Sequence, residues 1–464
     1  MRMSMLNKAV IATTLATSCW VISPTQAAEP VQISSSLEQQ VIEWRRDLHQ
    51  HPELSNREFR TAKVITEHLQ SLGLEVQTGV AHTGVVALLK GAKPGPTIAL
   101  RADMDALPVV EQTDVAFKST AIAEYRGKEV GVMHACGHDL HVAMLMGAAQ
   151  QLTELREQLA GNVVFIFQPA EEGAPAGEEG GAELMLKEGL FKQYQPEAVF
   201  GIHVWSAGHT GHIGYREGPL MASSDRFEIT VKGQQTHGSR PWGGVDPIVA
   251  AGQIINNTQA IVSRQVDITK APAVVSFGIV EGGVRNNIIP DEVYLEGTIR
   301  NFDMDNRAQI FANLKTTAEH TAQASGAEAH VHIDEGYPVT INNPELTRAM
   351  LPTMHKVAGA DKVNVNALVT GAEDFSFYAL EVPGLFVFLG ITPEDQDPAT
   401  APSNHSPFFY ADERALKTGT ELYVNWAIDY AILPTLVRGI SATTVTESGI
   451  AHFSIKPASI NCCK

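Results

Sequence analysis

Residues 133–141 read MHACGHDLH and hold three histidines, one aspartate and one cysteine. Cys136 and His138 are two positions apart, so both side chains can face the same point from an extended loop. Thiolate and imidazole are ligands that divalent transition metals prefer. The apolar run 142–149 follows directly and predicts a helix that supports the loop from behind. A free cysteine by itself is usually a small core residue, but this density of ligands favours a metal site.

Apolar strands predicted around this stretch end in polar residues. The strands and the residues that follow them are 97–100 with Asp103 and Asp105, 163–167 with Glu171 and Glu172, 198–202 with His203, and a further strand at 385–390. Such runs, alternating with helices, predict an α/β fold with a mostly parallel sheet and helices on both faces. Because ligands collect beyond the carboxyl ends of the strands in such sheets, the pattern predicts an active site there.

The hydrophobic pattern changes in the middle of the chain. Residues 225–231, 293–300 and 330–333 alternate polar and apolar side chains, as half-exposed strands do, and helical runs lie between them at 246–263 and 305–324. This order predicts a small α+β insert over residues 222–336. The larger catalytic domain is then formed by residues 38–221 and 337–438, and the tail 439–464 is left unassigned.

The N-terminus has the features of a secretory signal peptide. Arg2 and Lys8 precede an uncharged run, and small residues before Ala27 supply a cleavage site, which predicts a signal over residues 1–27. The run is short and rich in Thr and Ser, so a membrane anchor is less favoured. A lipoprotein cleavage site before Cys19 is the second choice. The mature chain is expected to be secreted or periplasmic and is long enough for two domains.

Charge and cysteine content limit the classes of partner. The formal net charge of −18 argues against nucleic acids and anionic membranes as partners and favours a soluble exported protein. Of the four cysteines, Cys19 leaves with the signal, and Cys462 and Cys463 are adjacent near the end of the chain. That pair could form a strained disulfide, link two chains, or have no role. Metal ligation of Cys136 would remove the liability of a free thiol in an oxidising compartment.

Each polar residue also has a simpler interpretation when it is taken alone. His203 could be a strand-end histidine that is satisfied locally, and His405 could be a turn residue beside Pro407. Glu171 and Glu172 could be an acidic helix start. Two neighbouring glutamates cannot easily bind the same ion, however, so one can ligate while the other accepts a proton from activated water. The strand-end pattern therefore favours a binuclear site with these candidate ligands: Cys136, His138, Glu172, His203 and His405.

Seven motifs follow one another along the chain. They are RDLHQHPELS at 46–55, LRADMDALP at 100–108, MHACGHD at 133–139, QPAEEG at 168–173, GIHVW at 201–205, GAEDF at 371–375 and NHSPF at 404–408. In this order the motifs resemble the M20 metallopeptidase family and within it the amidohydrolase branch, and the resemblance covers residues 38–435. That branch includes N-acyl-amino-acid amidohydrolases, hippurate hydrolases and indole-acetyl-amino-acid hydrolases.

The resemblance implies two divalent metal ions held by the five candidate ligands, with Glu171 as the general base. Asp105 would accept a hydrogen bond from a ligating imidazole and fix its tautomer. Many relatives have histidine where Asp103 stands, so the pairing of ligands with individual ions is not transferred. Zinc, manganese, cobalt and nickel all suit this mixture of sulfur, nitrogen and oxygen ligands.

The resemblance also implies roles for the insert as a lid that carries a homodimer contact. His237 would stabilise the tetrahedral oxyanion, in its own chain or from the partner. Asn287 and Arg300 would hold the free carboxylate of the substrate. The planar guanidinium group of an arginine can donate two parallel hydrogen bonds to the two carboxylate oxygens. Without the resemblance, Arg300 is better interpreted as a surface cation at a strand end.

These observations predict an exported metal-dependent amidohydrolase that splits N-acyl amino acids into a carboxylic acid and an amino acid by metal-activated water. A dipeptidase or small-peptide carboxypeptidase of the same family is the first alternative. A non-catalytic periplasmic binding protein is the second, although a binder has no need of the base Glu171. A purely structural zinc site fits poorly, because such sites are usually closed by four ligands. The preferred acyl group and amino acid are not evident in the sequence.

Overall fold

A computed structural model describes residues 29–433 of the chain. The predicted signal peptide, the tail 439–464 and the Cys462–Cys463 pair lie outside the described residues. Within 29–433, no helix combines the length and the apolar character that crossing a membrane requires.

The helices and strands agree in position with most of the periodic segments of the sequence. The α-helices are α1 (Ser35–Gln50), α2 (Phe59–Ser71), α3 (His138–Glu154), α4 (Gly181–Lys187), α5 (Leu190–Tyr194), α6 (Pro247–Ala260), α7 (Met304–Ala324), α8 (Pro344–Ala358), α9 (Phe375–Glu381) and α10 (Ala415–Ile432). The strands are β1 (Glu75–Val80), β2 (Gly84–Lys90), β3 (Lys93–Asp103), β4 (Ile122–Tyr125), β5 (Lys128–Gly131), β6 (Ala160–Gln168), β7 (Ala198–His209), β8 (Ile213–Tyr215), β9 (Gly218–Met221), β10 (Ser224–Lys232), β11 (Thr236–His237), β12 (Ala273–Gly282), β13 (Ile288–Ile289), β14 (Glu292–Asn301), β15 (Glu328–Tyr337), β16 (Thr340–Asn342), β17 (Val363–Val365) and β18 (Gly384–Thr392).

The largest sheet has eight strands in the order β1-β2-β6-β3-β7-β18-β8-β17. Its centre is parallel, because β6, β3, β7 and β18 pair in the same direction. Antiparallel pairs occur toward the margins, where β2 meets β1 and β6, and where β18 meets β8. The predicted mostly parallel sheet is therefore confirmed.

Both faces of this sheet are covered, as predicted. In β18, Leu385 and Val387 belong to a core cluster shared with α1, α3, α8 and α10. The intervening Phe386 and Phe388 belong to a second cluster on the opposite face, shared with α4, α5 and α9. Because successive side chains of a strand point to opposite faces, an unbroken apolar run such as this one requires cover on both sides.

A second, four-stranded antiparallel sheet has the order β12-β14-β10-β15. It packs with α6 and α7 around a hydrophobic core of its own. The chain enters this sheet at the first residue of β10 and leaves it at the last residue of β15. Edge strand β12 was not predicted, because most of its side chains are exposed and its pattern shows no clear buried face. The domain boundaries at 222 and 336 stay a prediction.

The helix predicted behind the metal-ligand loop is α3, and it is buried on nearly all sides. Gly137 precedes it with a left-handed φ of 94°. A Cβ atom at this position would lie 2.3 Å from Cγ2 of Val204. Glycine therefore permits both the turn into α3 and the close approach of the loop to strand β7.

Candidate metal centre

The structure brings the five candidate ligands together beyond the carboxyl ends of the central strands. Sγ of Cys136 lies 3.3 Å from Nε2 of His203 and 3.2 Å from Nε2 of His405. Oε1 of Glu172 lies 3.1 Å from Nε2 of His405 and 3.9 Å from Nε2 of His138. Donor atoms from four separate segments thus surround one small region, although Cys136 and His405 are 269 positions apart.

The loop that carries His405 is fastened to the loop of residues 133–141. The amide of His405 donates to the carbonyl of Ala135 at 2.8 Å, and the side chain of Asn404 donates to the carbonyl of Cys136 at 3.0 Å. His405 has a left-handed φ of 72°. Because non-glycine residues rarely adopt this conformation, the two hydrogen bonds help to hold the turn that points the imidazole at Cys136.

Two of the candidate histidines are hydrogen-bonded through Nδ1, which leaves their Nε2 atoms available to bind a metal. Nδ1 of His203 donates to the carbonyl of Val204 at 2.7 Å, so its Nε2 carries a lone pair. Nδ1 of His138 lies 3.2 Å from Oδ1 of Asp105, and its Nε2 is buried without a hydrogen-bond partner in the described structure. Imidazoles held in this way are oriented to bind a cation, so the residues fit a metal.

Electrostatics also favours a cation at this place. Burial opposes the charged form of His138, but Asp103 and Asp105 outweigh it and raise its pKa to about 10. Burial, together with Glu172 and Glu171, raises the pKa of the Cys136 thiol well above its usual value. The same negative charge that holds these protons attracts a divalent ion, which must displace them in order to bind.

Glu171 lies beside the ligands, with Oε2 3.9 Å from Nε2 of His138. Burial first, and then the charges of Glu373 and Glu172, raise its pKa well above the usual carboxyl value. A raised pKa makes a carboxylate a better proton acceptor near neutral pH. Oδ1 and Oδ2 of Asp105 accept hydrogen bonds from the amides of Glu171 and Glu172 at 3.1 and 3.0 Å, so one carboxylate orients both residues.

A buried charge cluster beneath Glu171 was missed by the sequence analysis. Arg101 is fully buried and lies 2.7–2.9 Å from the carboxylates of three residues: Asp103, Glu373 and Asp374. Burial raises the pKa of Glu373 to about 8, against the opposing effect of Arg101. The available signal was the presence of Arg101 and Asp103, two positions apart, at the end of an apolar strand. Such residues share one face of the strand and needed a buried partner.

Two other polar residues of 133–141, His141 and Asp139, brace the loop. Nδ1 of His141 is 2.5 Å from Oδ1 of Asp103, and its Nε2 accepts a hydrogen bond from the amide of Val204 at 2.8 Å. Both ring nitrogens are therefore already used. Asp139 pairs with Nε of Arg45 at 2.9 Å and with Nδ1 of His49 at 2.8 Å, which ties the start of α3 to α1.

A cavity of about 760 Å³ is lined by Glu171 and by four of the five candidate ligands, all except His138. Arg300 from β14 lies on its wall, half-buried, together with Tyr337 and Trp205. His237 and Asn287 do not line the cavity of their own chain. Both are exposed on the insert, where the amide of Gly238 donates to the carbonyl of Asn287.

Comparisons with known proteins show which sequences and solved structures this chain is similar to. The sequence model of peptidase family M20/M25/M40 matches residues 99–429. Thermostable carboxypeptidase 2 of Saccharolobus solfataricus is 40% identical over 397 residues, which cover 85% of this chain and 96% of the relative. N-acetylcysteine deacetylase of Bacillus subtilis is 39% identical over 389 residues, covering 84% and 96%. The crystal structure of the Bacillus subtilis YXEP protein, a dinuclear metal-binding peptidase of family M20, matches with a TM-score of 0.72. It is 36% identical and covers 86% of this chain and 99% of that chain.

Proposed function

Because the chain belongs to peptidase family M20/M25/M40 and is a metal-dependent hydrolase of amide bonds, we propose that it cleaves N-acyl amino acids into a carboxylic acid and an amino acid. The observation that carries this proposal is the buried carboxyl of Glu171, which lies beside the candidate ligands and lines the same cavity as Arg300. An N-acyl amino acid presents a free carboxylate near its amide bond, and the arginine fork matches two carboxylate oxygens. The deacetylase relative supports this substrate class, and the carboxypeptidase relative supports short peptides as the second candidate.

We propose that two divalent ions bind here, as in the dinuclear relative. The residues that would hold them are Cys136, His138, Glu172, His203 and His405. When bound, such ions lower the pKa of a water and polarise the amide carbonyl. The mixed thiolate, imidazole and carboxylate set is compatible with zinc, cobalt, nickel and manganese.

The side chains then have separate tasks. Glu171 accepts the proton of the attacking water and passes it to the nitrogen of the leaving amino acid. Asp105 keeps His138 in the tautomer that leaves Nε2 free, and it holds the amides of Glu171 and Glu172 in place. Arg300 binds the carboxylate of the substrate and so places the amide bond beside Glu171.

The decisive experiment is the variant Glu171→Gln, assayed on N-acetyl amino acids, N-benzoyl amino acids and dipeptides. Removal of a general base predicts a fall in kcat of about 10³-fold while the metal content stays unchanged. Glu178→Gln is the matched control, because Glu178 lies on the same loop but is exposed and pairs with Arg57. Near-normal turnover by metal-loaded Glu171→Gln would show that the base is assigned wrongly. A preference for dipeptides would favour the peptidase alternative, and tight binding without any product would favour a binding protein.

We further propose that His237 and Asn287 act at the cavity of a partner subunit in a homodimer formed through the insert. Their exposed position supports this, as does the edge strand β12, which exposes Val280 and Ile279. His237 would then donate a hydrogen bond to the oxyanion.

Mixing His237→Ala chains with Glu171→Gln chains tests the proposed action between subunits, because each mixed dimer holds one intact site. About a quarter of wild-type activity should return in an equal mixture. No recovery, with exchange of subunits demonstrated, would contradict action between chains.

Export is proposed from the sequence of residues 1–27. The mature protein from the periplasm or the medium should begin at Ala28. Mass spectrometry of the intact protein checks this. A lipid-modified chain that begins at Cys19 would favour the lipoprotein alternative, and an uncleaved chain in the cytoplasm would contradict export.

A further inference from the structure

One peptide group, the one that joins Glu171 to Glu172, is held from both sides. Its N–H donates to Oδ2 of Asp105 at 3.0 Å. Its carbonyl oxygen, that of Glu171, accepts a hydrogen bond from the hydroxyl of Tyr337 at 2.7 Å. Burial and the nearby carboxylates Asp374 and Glu171 raise the pKa of Tyr337 well above its usual value, so the hydroxyl stays a donor.

The orientation of this peptide decides where two neighbouring carboxylates point. The preceding residue, Ala170, has a left-handed φ of 53°, a conformation that non-glycine residues rarely adopt. The surrounding contacts must therefore hold the turn. Glu58 and Asp105 hold its amide groups, since Oε1 of Glu58 accepts from the amide of Ala170 at 3.0 Å. Tyr337 holds the carbonyl of the peptide between the two glutamates.

Tyr337 lies one residue beyond the predicted insert, at the point where the chain leaves the four-stranded sheet. It is the last residue of β15 and pairs with Ser224, the first residue of β10. Beside it, the amide of Gly336 donates to Oδ1 of Asp225, which forms a buried ion pair of 2.6 Å with Arg307. This pair anchors Tyr337 to the sheet that also carries Arg300.

We propose that Tyr337 is a positioning residue, which fixes the Glu171–Glu172 peptide so that Glu171 faces the attacking water while Glu172 faces the other ligands. The inference rests on the proposed role of Glu171 as the base. It makes the four-stranded sheet part of the catalytic machinery of its own chain. The sheet that binds the substrate carboxylate through Arg300 also orients the base through Tyr337.

The variant Tyr337→Phe tests this because it keeps the ring, which packs edge-on against Phe377 at 6.0 Å, and removes only the hydroxyl. Loss of one buried hydrogen bond to the machinery predicts a fall in kcat of about tenfold on every substrate. KM should change by less than about twofold, and the metal content should not change. Tyr294→Phe is the control, because Tyr294 is another tyrosine of the four-stranded sheet, and its hydroxyl donates to a carboxylate, that of Glu296, at 2.7 Å. It should keep full activity.

A double-variant cycle separates positioning of the base from a general structural effect. In the Glu171→Gln background, with turnover measured at enzyme excess, the additional Tyr337→Phe change should lower the rate by less than about twofold. The same loss in both backgrounds would overturn the proposal, and so would a KM effect that differs between substrates, which would indicate direct contact with substrate.

Crystallography gives a reading independent of activity. The Glu171 carbonyl should turn or occupy several positions in Tyr337→Phe, and an unchanged peptide would count against the inference. Normal turnover by Glu171→Gln would instead reject the base assignment on which the inference rests.

Discussion

Two arginines, one in the eight-stranded sheet and one in the four-stranded sheet, each form ion pairs with three carboxylates, but they differ in exposure to solvent. Arg101 in β3 has a fully buried side chain, and its partners are Asp103, Glu373 and Asp374. Arg226 in β10 has a side chain that is 45% exposed, and its partners are Glu228, Glu296 and Asp334. The local composition of the two clusters is the same, one guanidinium among three carboxylates.

The two clusters differ in how far their side chains are exposed to solvent. Around Arg226, water screens the charges, and each pair contributes little to stability. Around the fully buried Arg101, solvent has little access to replace a lost partner, so the remaining charges would be left unpaired in a medium of low dielectric constant. The buried cation thereby stabilises a group of carboxylates beside Glu171 in the main sheet.

The largest effect is expected at the proposed metal site. His203→Ala should lose metal and lower kcat/KM by about 10³-fold or more, because the activation of water depends on the ions. His209→Ala is the control, since His209 ends the same strand, β7, and its nearest acidic partner is the exposed Glu394. Elemental analysis and steady-state kinetics measure both effects. Full metal content in His203→Ala would remove His203 from the ligand set.

Replacement of the buried cation is expected to have the next largest effect. Arg101→Met keeps most of the side-chain volume and leaves three carboxylates without their partner, which should lower the free energy of unfolding by about 3–5 kcal/mol. The midpoint of urea unfolding, followed by circular dichroism, measures this loss. A shift of less than about 1 kcal/mol would mean that the carboxylates accept protons easily and do not need the arginine.

An intermediate effect is expected for the buried pair of the insert. Arg307 has an 8% exposed side chain and binds Asp225, whose side chain is fully buried. Arg307→Met should cost about 2 kcal/mol, since it removes charge-assisted hydrogen bonds at a less deeply buried site. Because this pair anchors Tyr337, kcat should fall in parallel. Unfolding curves and kinetics on the same preparation would show whether stability and turnover change together.

The smallest effect is expected at the surface cluster. Arg226→Met should lower the free energy of unfolding by less than about 1 kcal/mol, and the difference should shrink further in 1 M salt. The same urea titration, run at low and high salt, measures it. A loss as large as that of Arg101→Met would show that burial is not what separates the two clusters.

The sequence by itself determined the fold class, the family and the identity of the five candidate ligands that the structure brings together. Apolar runs identify strands that must be covered on both faces, and parallel strands carry their carboxyl ends to a common edge. Polar residues that follow such runs, like Glu172 and His203, are therefore brought together by local pattern alone.

Only the tertiary structure decided which distant groups complete the site. Arg101 donates a hydrogen bond to Glu373, and Tyr337 donates one to the carbonyl of Glu171. Both contacts join segments that are far apart in the sequence. His237 and Asn287 are exposed residues of the insert and do not line the cavity of their own chain. Periodicity reports which face of an element is buried, but it carries no information on which remote segment covers that face. That choice depends on long-range packing of the whole chain.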